Sequence, residues 1–220
     1  MLIEVNHLTR EYRRGKNNVQ AVDNIHFTAD KGDFVIIKGE SGSGKSTFLS
    51  MLAGLLHPTS GSVFVIGKNI YELSDKELSC FRNSHIGYIP QGHELLSELT
   101  VYENVVLPQR LYRKTYSDIN DNADKLLKKL GIGELRNSYP CELSGGERKR
   151  AAIARAIANS PDVILADEPT NDLDGNNTAI VLEAFSEIAK SGTVVIMITH
   201  DNHISSYGSR IMTMKNGKLV

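Results

Sequence analysis

Short apolar, β-branched runs recur along the chain between glycine or proline punctuation. The clearest are Phe34-Val35-Ile36-Ile37, Val63-Phe64-Val65-Ile66, Ile86-Gly87-Tyr88-Ile89, Val163-Ile164-Leu165-Ala166 and Val194-Val195-Ile196-Met197-Ile198. Runs this continuous suit strands buried on both faces, as in a parallel sheet covered by helices. The spacing of Ile3 and Val5, and of Val22, Ile25 and Phe27, reads instead as half-exposed antiparallel strands. Helical spacing follows several of the runs, over residues 45–54, 174–190 and 201–206. From about Leu95 to Asn159 helical spacing takes over, first at 101–107 and then at Ala123, Leu126, Leu127 and Leu130, with Gly131 and Gly133 placed to stop the second helix. The pattern predicts an α/β fold with a helical insertion between two sheet strands.

Composition narrows this picture without redirecting it. A length of 220 residues suits one domain with a subdomain, and 40% hydrophobic against 23% charged residues is enough to bury a core. Lys plus Arg (25) against Asp plus Glu (26) gives a net charge of −1, which argues against a dedicated duplex-DNA binder. Cys80 and Cys141 lie far apart in no metal-ligand spacing and read as free thiols of a reducing compartment. No basic segment followed by an apolar run opens the chain, and no stretch nears the roughly 18 apolar residues that cross a bilayer. The expectation is a soluble, cytoplasmic protein whose membrane role, if any, runs through a partner.

The chemistry concentrates in three places. Gly39-Glu40-Ser41-Gly42-Ser43-Gly44-Lys45-Ser46-Thr47 fits the phosphate-loop pattern, with the strand Phe34–Lys38 before it and a helix after it. Glycines let successive N–H groups converge on phosphate oxygens, and the helix start presents its free amides and positive dipole end to the same anion. Lys45 is placed to reach the β and γ phosphates and Ser46 to donate its hydroxyl oxygen to Mg²⁺. Next, Val163–Ala166 runs into Asp167 and Glu168, and ligands of open parallel sheets sit at such strand ends. Asp167 is placed to hold Mg²⁺ and Glu168 to orient the attacking water; an ordinary acidic turn is the plainer reading. Third, Leu143-Ser144-Gly145-Gly146-Glu147 opens a long helix. It is either a capped helix start and nothing more, or a second grip on phosphate. The residues alone leave both open.

These three segments stand in the order and approximate spacing of ATP-binding-cassette (ABC) ATPases, and the resemblance covers essentially the whole chain. It implies one domain over 1–220: a P-loop NTPase with a RecA-like parallel-sheet core, an N-terminal antiparallel β subdomain and an inserted α-helical subdomain at about 92–160. ATP and Mg²⁺ are the implied ligands, with Gly39, Ser41, Gly42, Ser43, Gly44 and Thr47 joining Lys45 and Ser46 in the phosphate cradle. Tyr12, placed in the first loop, is similar to the aromatic that stacks on adenine; an exposed tyrosine is the plainer reading. Gln91 resembles the glutamine that touches Mg²⁺ or water and senses the membrane partner. Asp174 matches an aspartate of the inter-subunit loop, though it also suits a helix N-cap. His200 resembles the histidine that contacts the γ-phosphate; grouping it with Asp201 and His203 as a metal site lacks a third ligand cluster. The resemblance also gives the second helix start a use, since two cassettes would dimerise head to tail with Ser144, Gly145, Gly146 and Glu147 of one over ATP held by the other.

Ile86–Gln91, Leu95–Val105 and Leu143–Arg148 look most like the macrolide-export and lipoprotein-release branch of that family. The expected partner is then an integral membrane permease whose short cytoplasmic helix fits a groove near Gln91. The expected work is export or membrane release of an antimicrobial peptide, drug or lipoprotein, without nucleic acid. The rivals are an importer cassette, a soluble ABC ATPase of DNA repair or translation, and a P-loop kinase, which would leave the second helix start and His200 idle. Three positions depart from the pattern. Asn171-Asp172 replaces the usual Gly-Asn, Lys149 replaces a commoner glutamine with little effect expected, and Cys141 stands where a polar residue is common.

Overall fold

A computed structural model of the chain describes residues 1–15, 17–92, 95–111, 116–201 and 203–220, and only the backbone of residues 14, 17 and 116–121. In chain order the elements are β1 (Ile3–Arg14), β2 (Asn17–Ala29), β3 (Phe34–Lys38), α1 (Lys45–Leu52), β4 (Ser60–Val65), β5 (Lys68–Asn69), α2 (Asp75–His85) and β6 (Ile86–Ile89). There follow α3 (Val101–Leu111), α4 (Tyr116–Lys129), α5 (Gly145–Ile157), β7 (Val163–Asp167), α6 (Gly175–Lys190), β8 (Val194–Thr199), β9 (Arg210–Lys215) and β10 (Lys218–Leu219).

The larger sheet runs β10-β9-β3-β8-β7-β6, parallel except for the β9–β10 hairpin. Strands β3, β6, β7 and β8 are apolar at nearly every position because each face of the sheet has its own core. Val35, Ile37, Val163, Leu165, Ile196 and Ile198 join Phe48, Leu49 and Leu52 of α1 beneath the antiparallel strands. Ile36, Ile164, Ala166, Val195 and Met197 join Val105, Ile153 and Phe185 on the opposite face. Complete burial of one such side chain, Phe48 for instance, contributes about 1.5–3 kcal/mol. The core is thus two layers of helix and sheet clamped on a central parallel sheet.

The run Val63–Ile66 departs from its expected place. It belongs to the smaller sheet, of order β2-β1-β4-β5, and pairs antiparallel with β1 and β5. Val63 and Val65 are buried, Phe64 is half-buried and Ile66 lies exposed beyond the strand end. Its apolar letters conceal a period of two, so only one face of this strand is fully covered. Helices expected at 45–54 and 174–190 are α1 and α6. At 201–206 there is a 3₁₀ turn over His203–Tyr207 in place of an α-helix, and Asn202 is outside the described residues.

Between β6 and β7 the described residues hold three α-helices and no strand, as the pattern requires. Residues 93–94, His93 among them, and 112–115 of that insertion are outside the described residues. Buried Asn104 organises its entrance, accepting from the Leu96 amide and donating to the carbonyls of Leu96, Leu99 and Thr100 at 2.8–3.1 Å. The sequence pattern marks neither α2, the two-residue β5 nor the C-terminal hairpin β9–β10. Among the described residues no helix is long and apolar enough to cross a membrane, and Cys80 and Cys141 are free and exposed.

Candidate functional site

β3 sits between β8 and β9, where the sheet's connections diverge to either side, so the loop at its carboxyl end opens into the crevice where parallel sheets take ligands. That loop leads to Gly44, which caps α1 with φ 104° and makes no side-chain hydrogen bond to the first amides of the helix. A Cβ there would lie 1.9 Å from the Ala21 carbonyl oxygen, and one at Gly39 would lie 2.3 Å from that of Met214. Only glycine fits either position. Lys45 is buried, and its Nζ donates to the carbonyls of Gly39 and Glu40 at 2.8 Å, with Ser43 Oγ 3.4 Å away. Gly39, Ser41, Gly42, Gly44, Lys45, Ser46 and Thr47 line a cavity of about 280 Å³ that Gln91, Glu168 and His200 close from the far side.

The two strand-end acids divide the site between them. Asp167 is buried and accepts a hydrogen bond from Ser46; burial, more than any neighbouring charge, pushes its carboxyl above the usual aspartate range. Glu168 has φ 50°, a left-handed conformation that costs a non-glycine residue on the order of 1 kcal/mol. Its amide donates to the Ile198 carbonyl at 3.0 Å, which locks the turn onto β8. Turned this way, its carboxylate accepts from Gln91 Nε2 at 3.3 Å and lies 3.2 Å from His200 Nδ1. Two side chains from the ends of β6 and β8 therefore converge on the carboxylate at the end of β7, at the rim of the phosphate-loop cavity.

The second glycine-led helix start lies elsewhere. Ser144 caps α5: its Oγ accepts from the Glu147 amide at 3.3 Å, while Glu147 Oε2 accepts from both the amide and the hydroxyl of Ser144 at 2.8 Å. The Ser144 backbone and hydroxyl hold the Glu147 carboxyl below its usual range. Among the described residues Ser144, Gly145, Gly146 and Glu147 do not line the cavity of their own chain. Tyr12 is not among the lining residues either. It lies on β1 and not in a loop, 40% exposed, with the Arg10 guanidinium 4.8 Å from its ring centroid. Asp174 is the N-cap of α6, accepting from the Asn177 amide at 2.8 Å.

The ABC transporter family model matches residues 22–171. The chain belongs to that family. It is 44% identical over 196 residues to the lipoprotein-releasing system ATP-binding protein LolD of Aquifex aeolicus, covering 89% of this chain and 88% of that one. It is 42% identical over 219 residues to the macrolide export ATP-binding/permease protein MacB of Mannheimia succiniciproducens, covering all of this chain but 34% of that protein. The chain thus spans about a third of the length of such fused relatives. Among solved structures, a dimeric ATP-binding cassette in a post-hydrolysis state bound to ADP and Pi superimposes with TM-score 0.93 at 35% identity, over 99% of this chain and 96% of that one. The cassette is accordingly an ATPase of the ABC class, with that class's α/β fold.

Two contributors to the cassette's site escaped the motifs. The C-terminal hairpin braces the phosphate loop, since the Gly217 amide donates to the Ser43 carbonyl at 3.0 Å and Met214 walls Gly39 and Gly44. Lys149, expected to be of little effect, is buried at 3% exposure with its Nζ donating to the Gln91 carbonyl at 2.8 Å. Burial lowers its proton affinity, and Asp172, Asp167 and Glu168 pull the other way.

Proposed function

We propose that the cassette hydrolyses ATP as a head-to-tail homodimer and that this cycle drives a partner permease in the cytoplasmic membrane. The observation that carries the reading is the incomplete ring around the phosphate-loop cavity. Lys45, Gln91, Glu168 and His200 surround one side, while the chain's own second helix start lines none of it. A second copy would supply Ser144, Gly145 and Gly146 over the γ-phosphate, with Glu147 and Asp174 at the same seam.

In this reading, backbone amides of residues 39–47 and the Lys45 ammonium hold the β and γ phosphates. The ammonium leaves the loop carbonyls that it now caps, so the bond it makes to phosphate replaces bonds already formed. Mg²⁺ suits the paired hydroxyl of Ser46 and carboxylate of Asp167, a hard all-oxygen donor set, with the Gln91 amide oxygen as a further ligand. Bound there, it would neutralise charge on the phosphates. Glu168 accepts a hydrogen bond from the attacking water and aims it in line, Gln91 fixes the carboxylate, and His200 bonds the γ-phosphate. Tyr12 stacks on adenine. Closure of the dimer is favoured by ATP and released after hydrolysis, so affinity for ATP that differs between open and closed states supplies the stroke.

A groove of about 320 Å³ between the sheet core and the helical insertion suits a short helix of the permease, and Gln91, expected beside that helix, lines the phosphate-loop cavity and not this groove. Leu55, 51% exposed, and Arg82, Tyr88 and Pro108 line it. The likeness to LolD and MacB supports outward movement or membrane release of a lipoprotein, peptide or drug, with the cassette on the cytoplasmic face. The experiment is Glu168→Gln: bound ATP is retained and gel filtration with ATP and Mg²⁺ shows a dimer. A monomeric Glu168→Gln chain with undiminished hydrolysis overturns the sandwich. Isolation from detergent-solubilised membranes with an integral membrane protein supports the transport role, and a stable complex with ribosomes or DNA overturns it.

A further inference from the structure

Leu8, Arg10 and Tyr12 alternate along β1 and so share one of its faces. Exposure grows outward along that face. Leu8 is buried in the core beneath the antiparallel strands, Arg10 is half-buried and Tyr12 is exposed. Their partners on β2 follow the same course, with Leu8 opposite Ile25, Arg10 opposite buried Val22 and Tyr12 opposite exposed Val19. Between Val22 and Gln20 the register slips by one residue. That extra residue, Ala21, lines the phosphate-loop cavity, so Tyr12 stands two residues along β1 from the pair beside the cavity wall.

An exposed ring is ordinarily free to turn, and this one has a support. The Arg10 guanidinium carbon lies 4.8 Å from the Tyr12 ring centroid, inside the range of a cation–π contact. The guanidinium is fixed in turn. Its Nη1 donates to the His57 carbonyl at 2.9 Å, in the loop after α1, and its Nε is buried with no hydrogen-bond partner among the described residues. The same loop grips the strand on either side of Arg10. The Thr59 amide donates to the Thr9 carbonyl at 2.8 Å, and Thr59 Oγ1 accepts from the Glu11 amide at 3.0 Å. We propose that Arg10 is a positioning residue for the nucleotide base: it covers one face of Tyr12 and holds the ring so that the other face is presented, already ordered, to a purine. A ring held beforehand loses less freedom when the ligand arrives. This rests on the reading of Tyr12 given above, and Arg10 acts only through that ring.

The test is a cycle of wild type, Arg10→Met, Tyr12→Leu and the double variant, with Kd measured by calorimetry for ATP with Mg²⁺ and for inorganic tripolyphosphate. Arg10→Met keeps an apolar stem and removes the cation. It should weaken ATP binding about fivefold, and Tyr12→Leu about tenfold. Tripolyphosphate has no base and should bind each variant within about twofold of wild type. The double variant should match Tyr12→Leu within about twofold for ATP, because Arg10 has nothing left to hold. Losses that multiply in the double variant overturn the proposal. Equal weakening toward tripolyphosphate marks general damage and overturns it too. The ring also gives a readout without nucleotide. The chain has no tryptophan, so Tyr12→Trp carries a single indole. Its fluorescence anisotropy should fall when Arg10→Met is added, and unchanged anisotropy overturns the holding role. If Arg10→Met melts too low to assay, Arg10→Lys replaces it in both measurements, since an ammonium lacks the planar fork that spans the His57 carbonyl and the ring. Full ATP affinity in Tyr12→Leu refutes base stacking, and the proposal with it. Full affinity in Arg10→Met beside weak binding in Tyr12→Leu refutes the proposal alone.

Discussion

Two helices of this molecule begin at glycine-rich turns, and they treat their first amides in opposite ways. α1 starts at Gly44 with no side-chain cap, facing a cavity lined by its own loop. α5 starts at Ser144 with a complete capping box, its end already satisfied by Glu147. Both present backbone amides and a positive dipole end of the kind that suits an anion. An uncapped start keeps its donors for a ligand; a capped one is stable alone and gives up its donors only to a partner that offers something better. The difference suits a phosphate cradle that works in one chain and a second grip that engages upon assembly.

The largest effect expected is on the α1 side. Lys45→Ala removes the cradle's ammonium and leaves the Gly39 and Glu40 carbonyls without their donor. Turnover should fall by about a hundred- to a thousandfold, as when a preorganised donor to a developing anion is lost. Steady-state ATP hydrolysis reads this directly, and undiminished hydrolysis would mean that the cradle has been misassigned.

The α5 side should respond differently. Ser144→Ala removes a cap worth about 1 kcal/mol, roughly 2–4 °C in melting for a chain of this size. ATP binding by the isolated chain should be unchanged, while ATP-dependent dimerisation and turnover are lost. Mixing Ser144→Ala with Lys45→Ala makes the comparison sharper. In a mixed dimer one site joins the intact cradle of one chain to the intact cap of the other. With half of all dimers mixed and one of two sites whole, about a quarter of wild-type turnover should return. If mixing restores nothing, the two helix starts do not meet across an interface.

Much of this was legible in the chain because the signals were local. The phosphate loop, Asp167-Glu168 and the strand Phe34–Lys38 are contiguous segments whose neighbours in sequence are also their structural context. What was not legible depended on distant packing. Lys149 sits in a run of three basic residues that reads as a solvated face, yet the register of α5 turns Lys149 and Arg150 inward and leaves Arg148 half-buried. β9 hides its strand because Ile211 points to solvent and Met214 to the core, so its apolar letters mark no single face. α2 is mostly polar, and its local sign was the capping box of Ser74 and Glu77. Val63–Ile66 shows that a continuous apolar run does not by itself distinguish a strand covered on both faces from one at the edge of a core. Ser144-Gly145-Gly146 remained ambiguous for a deeper reason: a cap and a phosphate grip require the same donors.

The smallest effect is one of sign, and it separates the two helix starts by pH. Asp167 lies at the foot of α1, and burial raises its pKa above the ordinary 3.8. Below that value the carboxyl is protonated in both folded and unfolded chains and costs nothing. As pH rises toward the folded pKa, the unfolded chain ionises first, and the folded state loses stability. Glu147 at the start of α5 behaves in the opposite way. Its pKa is held below the ordinary 4.5 by the Ser144 amide and hydroxyl, so its contribution is present above 4.5 and is lost as pH falls through the depressed value. Nucleotide-free melting followed from about pH 4 to pH 8 should therefore show Asp167→Asn gaining on wild type as pH rises, with the gain levelling off above the raised pKa. Glu147→Gln should lose against wild type over the same range, with its deficit closing toward the acid end. Deficits or gains of the same sign in both variants would mean that the two helix ends carry the same electrostatic load, and the contrast between an open cradle and a closed cap would fail.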